Sequence, residues 1–216
     1  PGSNRAGKGT INLLGFGSGA AAGESSNERV GIWLNGNYTR VVGSLTGAEF
    51  DSMLYSGMLG IDFRPTKNSL IGIGFGYEQS DTDTEFNRGT IDSTGYTFTP
   101  YLSLGVDDNI SIDAVAGYSR MDYDLERLDP LTSSKITGGT DSNRYFGSVN
   151  LVVDYDVSNF LLGFRVGTSY ISEEQDAYAE SDGTSEVAQK VTVGSGNVGL
   201  RLGYDGGSAQ PYIGGT

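Results

Sequence analysis

From Val30 onward, bulky apolar residues recur at every second position, the spacing of a strand whose two faces meet different surroundings. The clearest case is Ile71-Gly72-Ile73-Gly74-Phe75-Gly76-Tyr77-Glu78, in which every odd residue is large and apolar and every even one is Gly or Glu. One face suits lipid and the other a crowded or polar interior. Upstream, Met53, Tyr55, Leu59, Ile61 and Phe63 oppose Ser52, Ser56, Gly60 and Asp62, with Leu54 and Met58 intruding on the polar side. Downstream, Tyr96, Phe98, Leu102, Leu104 and Val106 oppose Thr97, Thr99 and Ser103, and Ile110, Ile112, Ala114 and Tyr118 oppose Ser111, Asp113 and Ser119. Tyr145, Val149, Leu151, Val153 and Tyr155 then oppose Ser148, Asn150 and Asp154. Phe160, Leu162, Phe164, Val166 and Tyr170 oppose Arg165 and Ser169, and Val198, Leu200, Leu202 and Tyr204 oppose Asn197 and Arg201. With a first strand near 30–42 and a last one starting near Ala209, about nine strands are predicted.

The connections alternate in length. Pro65-Thr66-Lys67-Asn68, Asp107-Asp108-Asn109, Asp156-Val157-Ser158-Asn159 and Asp205-Gly206-Gly207-Ser208 have tight-turn composition. Long polar stretches lie between them, near 43–50, 79–92, 122–143 and 173–187. Short turns at one end and long loops at the other are what an outer-membrane barrel shows. Aromatics mark two levels: Tyr38, Tyr77, Tyr96, Tyr118, Tyr145 and Tyr170 near the long loops, and Phe63, Tyr155, Phe160 and Tyr204 near the short turns. They read as two interfacial girdles, although Tyr is also simply a good strand residue. The predicted fold is all-β, an antiparallel up-and-down transmembrane β-barrel over residues 30–216, in the Gram-negative outer membrane.

Residues 1–29 are rich in Gly, Ala and Ser without a sustained period and read as a linker. Pro1-Gly2-Ser3 resembles the scar of a removed expression tag, which would hide a native leader.

Composition narrows the function. No apolar run approaches the roughly 20 residues a spanning helix needs, whereas a barrel strand needs only about 10 with every second one facing lipid. The chain has no Cys, which excludes disulfides and thiolate metal sites. Its formal charge of −13 argues against nucleic-acid partners. With no His, acid–base work at neutral pH would fall to carboxylates, and these concentrate in loops such as Glu173-Glu174-Gln175-Asp176, where solvation explains them. Neither an enzyme nor a cofactor is expected. Asp81-Thr82-Asp83-Thr84-Glu85 resembles the start of a calcium loop, but Phe86 stands where that motif needs Gly. Acidic loops could instead share divalent cations with lipopolysaccharide phosphates.

Parity assigns a lumenal set: Asp62, Gly72, Gly74, Gly76, Asp113, Asp154, Arg165 and Arg201. Buried cations are intolerable against lipid, so the arginines should point inward, toward selectivity charges or hydrogen-bond scaffolding. The bare glycine face suits either a segment running close inside the barrel or room for neighbouring side chains.

Trp33, Tyr55 to Asp62 ending Leu-Gly-Ile-Asp, Ile71 to Tyr77, Tyr96, Tyr101 and Gly117-Tyr118-Ser119-Arg120 together resemble the translocator domain of autotransporters, best over about residues 30–125. The resemblance implies a 12-stranded barrel with a linker helix through its pore, which anchors an N-terminal passenger and helps export it to the cell surface with the barrel-assembly machinery. The chain departs by ending in Pro211-Tyr212-Ile213-Gly214-Gly215-Thr216 and not on a closing aromatic, so further strands are expected after it. Gly15, Gly17, Gly19 and Gly23 also weaken a linker helix. A small porin, an adhesin-like surface barrel and a soluble β-sandwich or lipocalin-like binder are the competing expectations.

Overall fold

The computed structural model describes residues 29–44, 49–85 and 87–204 and the backbone of 212–215. Residues 1–28 of the proposed linker, the turn at Asp205–Ser208 and the start of the last strand near Ala209 lie outside the described residues.

The strands are β1 (Val30–Gly43), β2 (Phe50–Thr66), β3 (Ser69–Thr84), β4 (Gly89–Gly105), β5 (Ile110–Leu128), β6 (Lys135–Val157), β7 (Phe160–Gln175), β8 (Tyr178–Ala179), β9 (Ser185–Glu186), β10 (Gln189–Tyr204) and β11 (Tyr212–Gly215). Nine of them form one sheet in the order β1-β2-β3-β4-β5-β6-β7-β10-β11, while β8 and β9 pair as a separate hairpin. Every ladder of the large sheet is antiparallel and joins strands that follow one another in the chain, apart from the β8–β9 hairpin inserted between β7 and β10, as an up-and-down barrel wall requires.

The polar stretches expected to be long loops are in large part strand. The connection expected at 79–92 shrinks to 85–88, and that at 122–143 shrinks to 129–134. Backbone pairing needs no apolar side chains, and Asp81 still pairs with Asp92 and Asp124 with Gly139. At about 3.3 Å per residue, the 16 residues of β3 extend roughly 50 Å. A tilt of about 40° leaves roughly 40 Å of height against an apolar band of about 25 Å, so the strands stand clear of it. The opposite end keeps tight connections, including Ser158–Asn159, where Ser158 has φ 59°, the left-handed conformation that matches hairpin twist.

Packing is inverted relative to a water-soluble sheet. Among the described residues the buried hydrophobic side chains are Tyr101, Val115, Met121 and Ile136, whereas Asp62, Thr99, Asp113, Ser119 and Ser142 are buried polar ones. Ile32, Leu34, Leu59, Phe75, Leu151, Phe164 and Leu200 are exposed. A surface so apolar needs lipid beside it. Pro100 sits in central β4 on this outer face, where the β4–β5 ladder skips from Phe98–Tyr118 to Tyr101–Val115. The ring cannot donate to that ladder, and the gap accommodates it.

Candidate functional site: the concave face

Hydrogen bonds that skip strands reveal which face is concave. Trp33 on β1 donates its indole N–H to the Tyr101 hydroxyl on β4 at 2.6 Å, and Arg144 on β6 donates to Glu78 on β3 at 2.8 Å. Strands are spaced by about 4.8 Å, so two intervening strands would hold these backbones about 14 Å apart on a flat sheet. Only curling brings them together. On the other face, Tyr38–Tyr55, Phe75–Phe98, Tyr77–Tyr96, Tyr118–Tyr145 and Phe160–Tyr204 all join adjacent strands.

Glycines make the concave contacts possible. A Cβ at Gly60 would collide with the Trp33 indole, and one at Gly72 with the Tyr101 ring. Gly74 lies under Trp33 and the Met58 sulfur, both at 3.4 Å or less from a Cβ there, and Gly76 lies under Met58 and Thr97. The bare face is therefore covered by neighbouring side chains, with Trp33 and Tyr101 meeting above it, ring centres 6.1 Å apart. Gly95 under Met121 and Gly117 under Phe146 repeat the arrangement.

Charges on this face are held in groups. Arg144 donates to Glu78 and, through Nε, to Glu173 at 2.8 Å, while Glu173 also accepts from Tyr123 at 2.7 Å and Ser142 at 2.6 Å. Lower down, Asp113 accepts from Ser103 at 2.6 Å and lies 3.9 Å from the Arg165 guanidinium. Arg201 reaches Asp154 at 3.2 Å across Gly163. Removing one member of a partly buried pair strands the other charge and costs about 3–5 kcal/mol when fully buried, less here because the Arg144 side chain is 21% exposed.

The eight residues assigned to the lumen by parity all carry side chains on, or are glycines of, this concave face, with Asp62 and Asp113 buried and Asp154 and Arg201 open to solvent. The ten aromatics assigned to girdles lie on the opposite face, each at least 38% exposed. Sequence reasoning missed the Glu78–Arg144–Glu173 chain and the Trp33–Tyr101 bond. Glu78 shares the parity of Gly72 to Gly76, Arg144 that of Ser148 and Asn150, and Glu173 that of Arg165, so the alternation could have carried them. Counting 173–187 as loop removed Glu173 from it. Among the described residues, no three carboxylates gather as a metal site would require.

The autotransporter β-domain family matches residues 32–215. Among curated proteins none matches the chain. Among solved structures the chain is similar to the translocator domain of autotransporter NalP from Neisseria meningitidis, with TM-score 0.71 and 15% identity over 83% of this chain and 64% of that one. It is also similar to the β domain of the Bordetella autotransporter BrkA, with TM-score 0.68 and 17% identity over 86% of this chain and 76% of that one. BauA, the ferric preacinetobactin receptor from Acinetobacter baumannii, follows at TM-score 0.51 and 13% identity, over 91% of this chain and 37% of that one. At these identities the structures speak for the fold, and the chain spans less than two thirds of the NalP domain. The curled antiparallel wall, apolar outside and polar within, together with the match across nearly all of its strands, settles the assignment: the chain belongs to the autotransporter β-domain family of the Gram-negative outer membrane.

Proposed function

We propose that this barrel anchors an N-terminal passenger and helps export it to the cell surface, and that it performs no catalysis itself. The observation that carries this reading is the match over residues 32–215 by a concave wall whose interior is polar and glycine-lined. A diffusion porin would gain from uncompensated lumenal charge, whereas Arg144, Arg165 and Arg201 each face a carboxylate. The eight parity-assigned residues line the passage in this proposal, and the barrel-assembly machinery inserts it.

Lipopolysaccharide is the proposed outer-leaflet partner. Above the upper tyrosines, Asp81 stands opposite Asp92, and Asp92 opposite Asp124, on the outward face. Like charges directly opposite repel, and divalent cations shared with lipid phosphates would relieve them. The decisive experiment expresses the full-length protein in a Gram-negative host and probes an epitope-tagged passenger on intact cells. Surface exposure with a heat-modifiable barrel is expected; a folded barrel with its passenger retained in the periplasm would overturn the proposal.

A further inference from the structure

Neighbouring strands of the wall end at different heights, and the largest step lies between β6 and β7. β6 begins at Lys135, but its ladder to β7 starts only at Ser142, opposite Gln175. Residues 135–141 pair with β5 on one side and form a strand edge on the other. Such an edge turns N–H and C=O groups outward, a template on which another chain can add itself. Its sequence, Lys135-Ile136-Thr137-Gly138-Gly139-Thr140-Asp141, has no proline and no run of like charge to discourage pairing. It is also self-complementary, because two copies laid antiparallel about Gly138 set Lys135 opposite Asp141.

Residues 176–188, between β7 and β10, cover this edge. Asp176 N–H donates to the Asp141 carbonyl at 2.9 Å, carrying the β7 register one residue further, and the Thr140 hydroxyl donates to the Asp176 carbonyl at 2.8 Å. Thr137 is engaged at both backbone groups: its carbonyl accepts from Ser181 N–H at 2.8 Å, and its N–H donates to the Ser181 hydroxyl at 3.0 Å. Ser181 thus takes the place of a strand partner. It is held there by a turn in which Glu180 N–H donates to the Thr184 carbonyl and Thr184 N–H to the Asp182 carboxylate, each at 2.8 Å. Two side-chain contacts seat the turn on the wall. The Tyr178 ring lies on Gly138, where a Cβ would come within 2.9 Å of it, and Arg127 of β5 pairs with Glu180 and, at 3.3 Å, with Asp182. Joining β7 to β10 requires none of this. Gln175 and Gln189 already face each other in their ladder, so a two-residue turn would connect them.

We propose that residues 176–188 are an edge cap, which keeps the upper part of β6 closed to a second copy of this chain. Without the cap, residues 135–141 become a self-association surface. The inference is independent of what passes through the barrel.

The test uses the full-length protein in detergent micelles, with heat-modifiable migration confirming a folded barrel and light scattering giving the protein mass. Replacing residues 176–188 with Asn-Gly should double that mass relative to the parent. Thr137→Pro in the trimmed variant should restore the parental mass, since it removes the edge-facing N–H. A trimmed variant that folds and keeps the parental mass refutes the cap. Association that persists after Thr137→Pro runs through another surface and refutes it as well. Should trimming block folding, Ser181→Pro with Arg127→Ala decides by the same reading: the connection keeps its length but loses both bonds to Thr137 and the ion pairs that seat the turn. If neither variant folds, the segment serves the stability of the wall itself, and a guard against second copies is refuted.

Discussion

The lower and upper portions of the same strands are paired alike and dressed differently. On β3 the outward residues run Ile71, Ile73, Phe75 and Tyr77, then Gln79, Asp81 and Asp83, with no break in the ladder to β4. The inward residues change from Gly72, Gly74 and Gly76 to Glu78, Ser80 and Thr82 over the same stretch. Hydrogen bonding holds the wall along its whole height, while the side chains report what lies outside it. Lipid selects the apolar set, and water with charged headgroups selects the acidic one.

Reversing the dress at each level breaks this comparison most sharply. Ile73→Arg should lower unfolding stability by about 2–4 kcal/mol, the cost of a cation at the bilayer midplane, whereas Asp83→Arg should change it by less than about 1 kcal/mol. Denaturant titrations in the same lipid measure both. Gly72→Leu probes the inner face at the lower level: it must displace Tyr101 and should cost about 1–3 kcal/mol by overpacking. Tyr101→Phe removes the acceptor of the Trp33 indole and should cost about 1 kcal/mol. Trp33 is the single tryptophan, so its emission reports that change directly.

The smallest effects belong to the loop tips. Backbone N–H groups of Thr132 and Leu131 hold the Asp129 carboxyl below its ordinary value of 3.8, and the Thr184 N–H does the same for Asp182. Lowered values mean that each carboxylate contributes its full share above that ordinary pH and loses it as the pH falls through the folded value. Amide protection at Thr132 and Thr184, taken relative to the unfolded chain at each pH, should therefore hold from neutrality to about pH 4 and fall only below it; a fall near pH 6 would contradict the assignment. A chelator should also modestly lower stability in lipopolysaccharide-containing bilayers if cations bridge Asp81, Asp92 and Asp124 to phosphate.

Much of this wall was legible as alternation. The outward set from Met53 to Tyr204 and the hairpin at Ser158–Asn159 follow from side-chain period and turn chemistry, which are local. The upper strands were misread as loops because Asp81, Asp83, Asp92, Asp122 and Asp124 give no apolar period, although their backbones pair as well as those below. The concave site was half legible. Parity says which way Asp113 or Arg165 points, but contact between Trp33 and Tyr101, or between Glu78 and Arg144, depends on curvature accumulated over several strands. No window of sequence contains that.

Site-directed labelling of single cysteines tests the central claim most directly, since the described chain has none of its own. Cysteines at Leu59, Ile73 and Phe75 in the bilayer-inserted protein should be quenched by labels in the acyl chains and resist a water-soluble thiol reagent, while those at Asp81 and Asp83 react readily. Equal aqueous reactivity at Ile73, Phe75, Asp81 and Asp83 would mean that no lipid covers the lower face, and the barrel assignment would fail.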